Sequence, residues 1–126
     1  MKIRVYYEDT DLGGVVYYAN YLKFCERARS ELFFQRGLLP YNDDGHFFVK
    51  DLHATYIQSA KFADILEIST RLVQMKAASF LLHQEVWKEE QKLFEMDITL
   101  VHVDFEGKIK KLGKEEKALI SEIFSS

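Results

Sequence analysis

At 126 residues and 14.8 kDa, the chain is expected to form one domain over residues 1–126. It is too short for a (β/α)8 barrel, which needs about 200–250 residues, or for a two-domain dehydrogenase. Seventeen basic against twenty acidic residues leave a formal charge of -3, which gives no electrostatic reason to expect nucleic acid as a partner. The single cysteine, Cys25, cannot close an internal disulfide, no basic-then-apolar leader opens the chain, and no apolar run approaches the ~18–20 residues of a membrane helix, so a cytoplasmic protein without a transmembrane segment is expected.

Ile3, Val5 and Tyr7 alternate with Lys2, Arg4 and Tyr6. The alternation predicts a first strand that ends near Glu8 and carries Tyr7 on the face of Val5. Asp9 to Gly14 reads as a turn. Tyr18, Tyr21, Leu22, Cys25, Ala28 and Leu32 then recur at three- and four-residue steps, with Asn20, Lys23, Arg27, Ser30 and Glu31 on the other side. That pattern predicts an amphipathic helix of about 20 residues, stopped at Gly37 and sealed by Pro40. Beyond Gly45 the period becomes two: Leu66, Ile68, Thr70 and Leu72, then Phe80, Leu82, Gln84 and Val86, then Phe94, Met96, Ile98 and Leu100. Four or five antiparallel strands are expected here, with turns near Ala63-Asp64, Ala77-Ala78, Glu89-Glu90 and Glu106-Gly107. A helix from about Lys114 to Phe124 closes the chain. The predicted class is α+β, an antiparallel sheet of about five strands curled around one long helix. Phe33, Phe34, Phe47, Phe48, Tyr56, Phe62, Phe80 and Trp87 are more aromatic surface than one helix covers. Subunit association is the economical reading, and packing within one core the alternative. Five lysines against two glutamates leave 108–117 at about +3, a pattern that usually marks a solvated face.

The chemistry concentrates in residues 4–21, RVYYEDTDLGGVVYYANY. Asp9 and Asp11 stand two apart, so in an extended turn they point in different directions and take different jobs. Gly13 and Gly14 allow a tight backbone and let a ligand approach main-chain N–H groups. At the start of the following helix those N–H groups lack internal partners and lie at the positive end of the dipole, which suits a developing oxyanion. Ordinary turn and capping chemistry is the competing reading of this DxD. A calcium loop fails because Gly13 and Asn20 stand where oxygen ligands are wanted. An aspartyl-phosphate nucleophile fails on chain length, on strand order and on Gly13.

The stretch YYEDTDLGGVVYYANYLKFCERAR resembles the signature of the hotdog-fold acyl-CoA thioesterases of the hydroxybenzoyl-CoA thioesterase superfamily, nearest the YbgC branch. The likeness extends to the long helix, the ADILEI turn and strand, and the MKAASF strand start. It implies the hotdog fold, and hydrolysis of a fatty or aryl acyl-CoA to free acid and CoA without metal or cofactor. In that scheme Asp11 is the catalytic carboxylate, as general base or as nucleophile, and the Tyr18 N–H polarises the thioester carbonyl. Tyr7 lines or braces the site. Gly14, Asn20, Lys76 and Ser79 are the candidate substrate contacts, with Lys108, Lys110 or Lys111 as further partners for CoA phosphates. The resemblance also implies a homodimer, or a dimer of dimers, with the acyl site between subunits, and a link to acyl carrier protein. The sequence departs from many YbgC relatives at Tyr18, where they carry histidine, so a mechanism that needs an imidazole there is excluded. His46, His53, His83 and His102 are read as structural, and Cys25 as a buried small hydrophobe. The alternative from another class is a non-catalytic hotdog protein that binds acyl-CoA or acyl carrier protein. A dehydratase is disfavoured because the long helix carries no histidine.

Overall fold

The computed structural model describes residues 1–125. Six strands and two helices follow in the order β1 (Lys2–Arg4), α1 (Asn20–Phe34), β2 (Tyr41–Asn42), β3 (Gly45–Tyr56), β4 (Ile65–Met75), β5 (Ser79–Lys88), β6 (Gln91–Val103) and α2 (Lys114–Ile123). One antiparallel sheet contains all the strands, in the order β1-β4-β5-β6-β3-β2. It has six strands where about five were expected, the sixth being the two-residue β2.

The sheet curls because three strand pairs lose register, at Val49/Asp51, Leu72/Gln74 and Val86/Trp87. An extra residue on one strand bends it and increases its twist. The concave face carries the period-two residues, Leu66, Ile68, Phe80, Leu82, Val86, Phe94, Met96 and Ile98, all buried. Against them α1 lays Tyr21, Phe24, Cys25 and Ala28. Each large side chain so buried stabilises the fold by about 1.5–3 kcal/mol relative to exposure. The convex face is polar, with Glu67, Arg71, His83, Glu85, Glu95 and Asp97 set across neighbouring strands.

Helix α1 is shorter than the expected 20 residues. It starts at Asn20, so Tyr18 precedes it instead of lying in its first turn. Its C-terminus is closed as the sequence suggests: the Gly37 N–H donates to the Phe34 carbonyl, the Leu38 N–H to that of Phe33, and Gly37 takes φ 70°. The first strand is also shorter than predicted. It ends at Arg4, and a single 3-10 turn over Tyr7–Asp9 follows. Val5 is 1% exposed but Tyr7 is 83% exposed, so the two do not share a face. Helix α2 seals the open end of the curl with Ile120, Ile123 and Phe124, the last packed against Phe33 and Phe80. Cys25 is wholly buried, and burial pushes its thiol up to about 12. No helix among the described residues is long and apolar enough to cross a membrane.

Candidate active site

Between β1 and α1 the chain makes a compact loop whose anchor is Asp9. Its side chain is buried, with Oδ2 accepting the Tyr6 N–H (2.9 Å) and Oδ1 accepting Asn20 Nδ2 (3.0 Å). The Asp9 carbonyl accepts the Tyr17 N–H at 2.9 Å. Asp9 and Asn20 therefore sew the loop to the start of α1, and Asn20, 8% exposed, faces inward.

Asp11 lies on the other side of that anchor, at the surface. Its backbone pairs with Val15 (2.9 Å) and Gly14 (3.0 Å), and its Oδ1 accepts the Gly13 N–H at 2.8 Å. This Asx turn fixes the side chain. Oδ2 makes no hydrogen bond among the described residues. Gly14 takes φ 77°, the left-handed region that only glycine enters without strain.

Two clefts meet at Asp11. One, of ≈ 350 Å³, runs from Asp11 along Tyr17 and Tyr18 to the end of β3 and the strand exit, Tyr56 to Ser59. The other, of ≈ 730 Å³, is walled by Tyr7, Thr10, Leu12, Gly14 and Phe62. Tyr7 there meets Phe62 edge to face, ring centroids 6.3 Å apart. In the first cleft the Tyr56 hydroxyl donates to the Tyr18 carbonyl at 2.8 Å, which holds that peptide in place. The N–H groups of Tyr18 and Ala19 make no hydrogen bond among the described residues, and no side chain caps α1. Open donors thus stand at the positive end of a 15-residue helix, and Tyr18, which carries one of them, lines the cleft that holds Asp11.

Tyr17, Tyr21 and Tyr56 of this cleft have hydroxyls held above the ordinary 10.0. Burial, and then the neighbouring Tyr18 and Tyr21, push the Tyr56 hydroxyl above its ordinary 10.0, and Tyr18 does the same to Tyr17. Neither cleft is lined by a histidine, and no group of metal-ligating side chains occurs among the described residues. The chemistry on offer is one carboxylate and peptide N–H donors.

The predicted residues do not all converge. Asp11, Gly14, Tyr7 and Tyr18 come together around the two clefts. Lys76 and Ser79 belong to the β4–β5 hairpin. The loop meets the opposite end of β4, so the length of that eleven-residue strand separates them from Asp11 within one chain. Lys110 is held by Asp44 at 3.3 Å, while Lys108 and Lys111 are exposed. Sequence reading missed Tyr56 as a site residue. Its position at the end of β3, where the strand leads back toward the loop, was the available signal.

The model of the thioesterase superfamily matches residues 13–95. The chain is 47% identical over 87 residues to the acyl-CoA thioesterase YbgC of Helicobacter pylori, covering 69% of this chain and 65% of that protein. The match thus spans just under two thirds of the Helicobacter protein's length. To the acyl-CoA thioesterase YbgC of Haemophilus influenzae it is 40% identical over 122 residues, 92% of this chain and 89% of that one. Among solved structures, the Probable Thioesterase of Bartonella henselae superposes with a TM-score of 0.83 at 30% identity, covering 90% of this chain and 97% of that one.

Proposed function

The chain belongs to the thioesterase superfamily, and from that premise we propose that it hydrolyses acyl-CoA thioesters to free acid and CoA, with Asp11 as the catalytic carboxylate. One observation carries the reading: Asp11 and Tyr18, whose N–H makes no hydrogen bond among the described residues, line a single cleft, so a base and an oxyanion donor can address the same carbonyl. A thioester is already activated for acyl transfer, so a serine-histidine pair is not required.

Two routes use these parts. In one, Asp11 takes a proton from water as it attacks the carbonyl. The oxyanion is received by the Tyr18 N–H, and its collapse expels the CoA thiolate, which takes up the proton. In the other, Asp11 attacks directly, expels the thiolate and forms a mixed anhydride that water cleaves to acid and free carboxylate. Mass spectrometry of the quenched enzyme separates them, because only the second adds the acyl mass to Asp11. Tyr7 and Gly14 line the approach, and Asn20 acts through Asp9 as a brace.

The acyl group in this reading is a fatty chain or an aryl ring, which suits walls of Tyr, Phe and Leu. The active unit is a dimer, or a dimer of dimers, that meets along β3. The outer edge of β3 is covered by β2 only at Gly45 and His46, and Phe48, Val49, Leu52 and Tyr56 are 39–46% exposed. Pairing there would bring a second chain's hairpin residues, Lys76 and Ser79 included, into play for CoA. Lys108 and Lys111 offer cations to its phosphates, or to the phosphopantetheine of acyl carrier protein. We place the reaction in the cytoplasm.

The test is release of CoA thiol from a panel of saturated and aromatic acyl-CoAs. Turnover on at least one series is expected. Tight binding with no thiol release on any would replace the hydrolase by a non-catalytic acyl-CoA binder.

A further inference from the structure

Tyr18 carries an open N–H, but its carbonyl and the residue before it are held. On one side, the Tyr17 carbonyl accepts the Asn20 N–H at 2.8 Å, and the Tyr17 N–H donates to the Asp9 carbonyl at 2.9 Å. On the other, the Tyr18 carbonyl is met from a distant element, by the Tyr56 hydroxyl at 2.8 Å. A regular α-helix would give that carbonyl the N–H four residues on, which is Leu22. The Leu22 N–H is spent on the Ala19 carbonyl instead, at 3.2 Å, in the tighter three-residue pattern common at helix ends. Among the described residues the Tyr56 hydroxyl is therefore the single partner of the Tyr18 carbonyl.

Tyr56 is itself fixed. It is the last residue of β3 to pair with β6, opposite Phe94, and its ring packs edge to face on Phe94 and Tyr21, with centroids 5.0 and 5.5 Å away. The Tyr21 hydroxyl in turn accepts the Ala60 N–H at 2.9 Å, which ties the chain leaving β3 to α1. The phenol has one proton, and it is spent on the Tyr18 carbonyl, so it is not available to a leaving thiolate while that bond stands.

We propose that Tyr56 is a positioning residue for the hydrolysis proposed above: its hydroxyl holds Tyr18 so that the free N–H meets the thioester carbonyl as it becomes an oxyanion. The inference rests on that reaction and assigns Tyr56 no proton transfer. A preformed donor needs no reorganisation as charge develops, whereas a peptide free to swing must be ordered at that moment. The contact counts for more in the transition state than in substrate binding, so its loss falls on kcat.

Tyr56→Phe keeps the ring and removes only the hydroxyl. Its kcat for CoA release should fall roughly tenfold or more, with KM within a few-fold and the pH profile of kcat unshifted. A second readout needs no turnover: the infrared stretch of an isotope-labelled carbonyl in an acyl-CoA analogue with CH2 in place of sulfur, a ketone that water cannot cleave. Bound to wild type, that stretch should lie below its value in water, and in Tyr56→Phe it should return toward it. Wild-type kcat in Tyr56→Phe, a loss confined to KM, a missing limb of the pH profile, or the same stretch in both proteins overturns the proposal. A wild-type stretch equal to that in water overturns it without any variant. Absence of thiol release by the wild type would instead remove the hydrolysis, and the stretch comparison would still decide whether Tyr56 sets the carbonyl contact.

Discussion

Asp9 and Asp11 are two residues apart and face opposite environments. Asp9 is 3% exposed and satisfies a backbone donor and an amide, whereas Asp11 stands at the surface with one oxygen open. Replacing Asp9 by alanine orphans two donors, a loss of about 1–3 kcal/mol that should lower the melting temperature by several degrees in a calorimetric scan. Asp11→Asn keeps the acceptor for the Gly13 N–H, so its melting temperature should match the wild type. The spacing announced that the two carboxylates would diverge. Which of them is buried was not legible locally, because it depends on Asn20 reaching back eleven residues to Asp9.

At the scale of elements, β4, β5 and β6 were readable because each buries one face, so apolar residues fall on every second position. Strand β3 lacks that signature: most of its residues are exposed, and among the described residues no strand pairs with its outer edge beyond β2. The start of α1 was misplaced for a related reason. Tyr18 fits the helical spacing but is used by the loop, where Tyr56 holds its carbonyl. Gly45 marks a constraint that spacing cannot reveal. With φ 153° its backbone lies so close to β6 that a Cβ would collide with the Val103 carbonyl oxygen. Gly45→Ala should cost about 2 kcal/mol or more in urea unfolding, because neither backbone can retreat without breaking the β3–β6 ladder.

The convex face gives a pH prediction. Burial alone would lower His83, but its hydrogen bonds to Asp97 and Glu85, each 2.9 Å, outweigh that and raise it above 6.5. A raised folded value means that the protonated ring stabilises the fold fully below about pH 6.5, and that the contribution fades as pH rises through the folded value. The stability gap between wild type and His83→Gln, from urea unfolding, should therefore be larger at pH 6 than at pH 8.5. An equal gap at both would mean that folding leaves the His83 ring at its unfolded pKa.

For the whole molecule, the aromatic surplus legible in the sequence divides between a buried floor around Phe80, Phe94 and Phe124 and an exposed set that includes Phe48, Tyr56, Phe62 and Phe105. The exposed edge of β3 makes association of two chains the expected state, so light scattering should return a multiple of 14.8 kDa. Phe48→Asp should shift the species toward the monomer and reduce turnover with it, since the facing wall of the site would be lost. A wild-type monomer with full activity would remove the shared site.

The measurement that bears most directly on the proposed function is kcat for CoA release by Asp11→Asn against wild type, on the best acyl-CoA of the panel. With the melting temperature unchanged, kcat should fall at least about 10²-fold. Turnover within a few-fold of wild type would contradict it and move the catalytic carboxylate elsewhere.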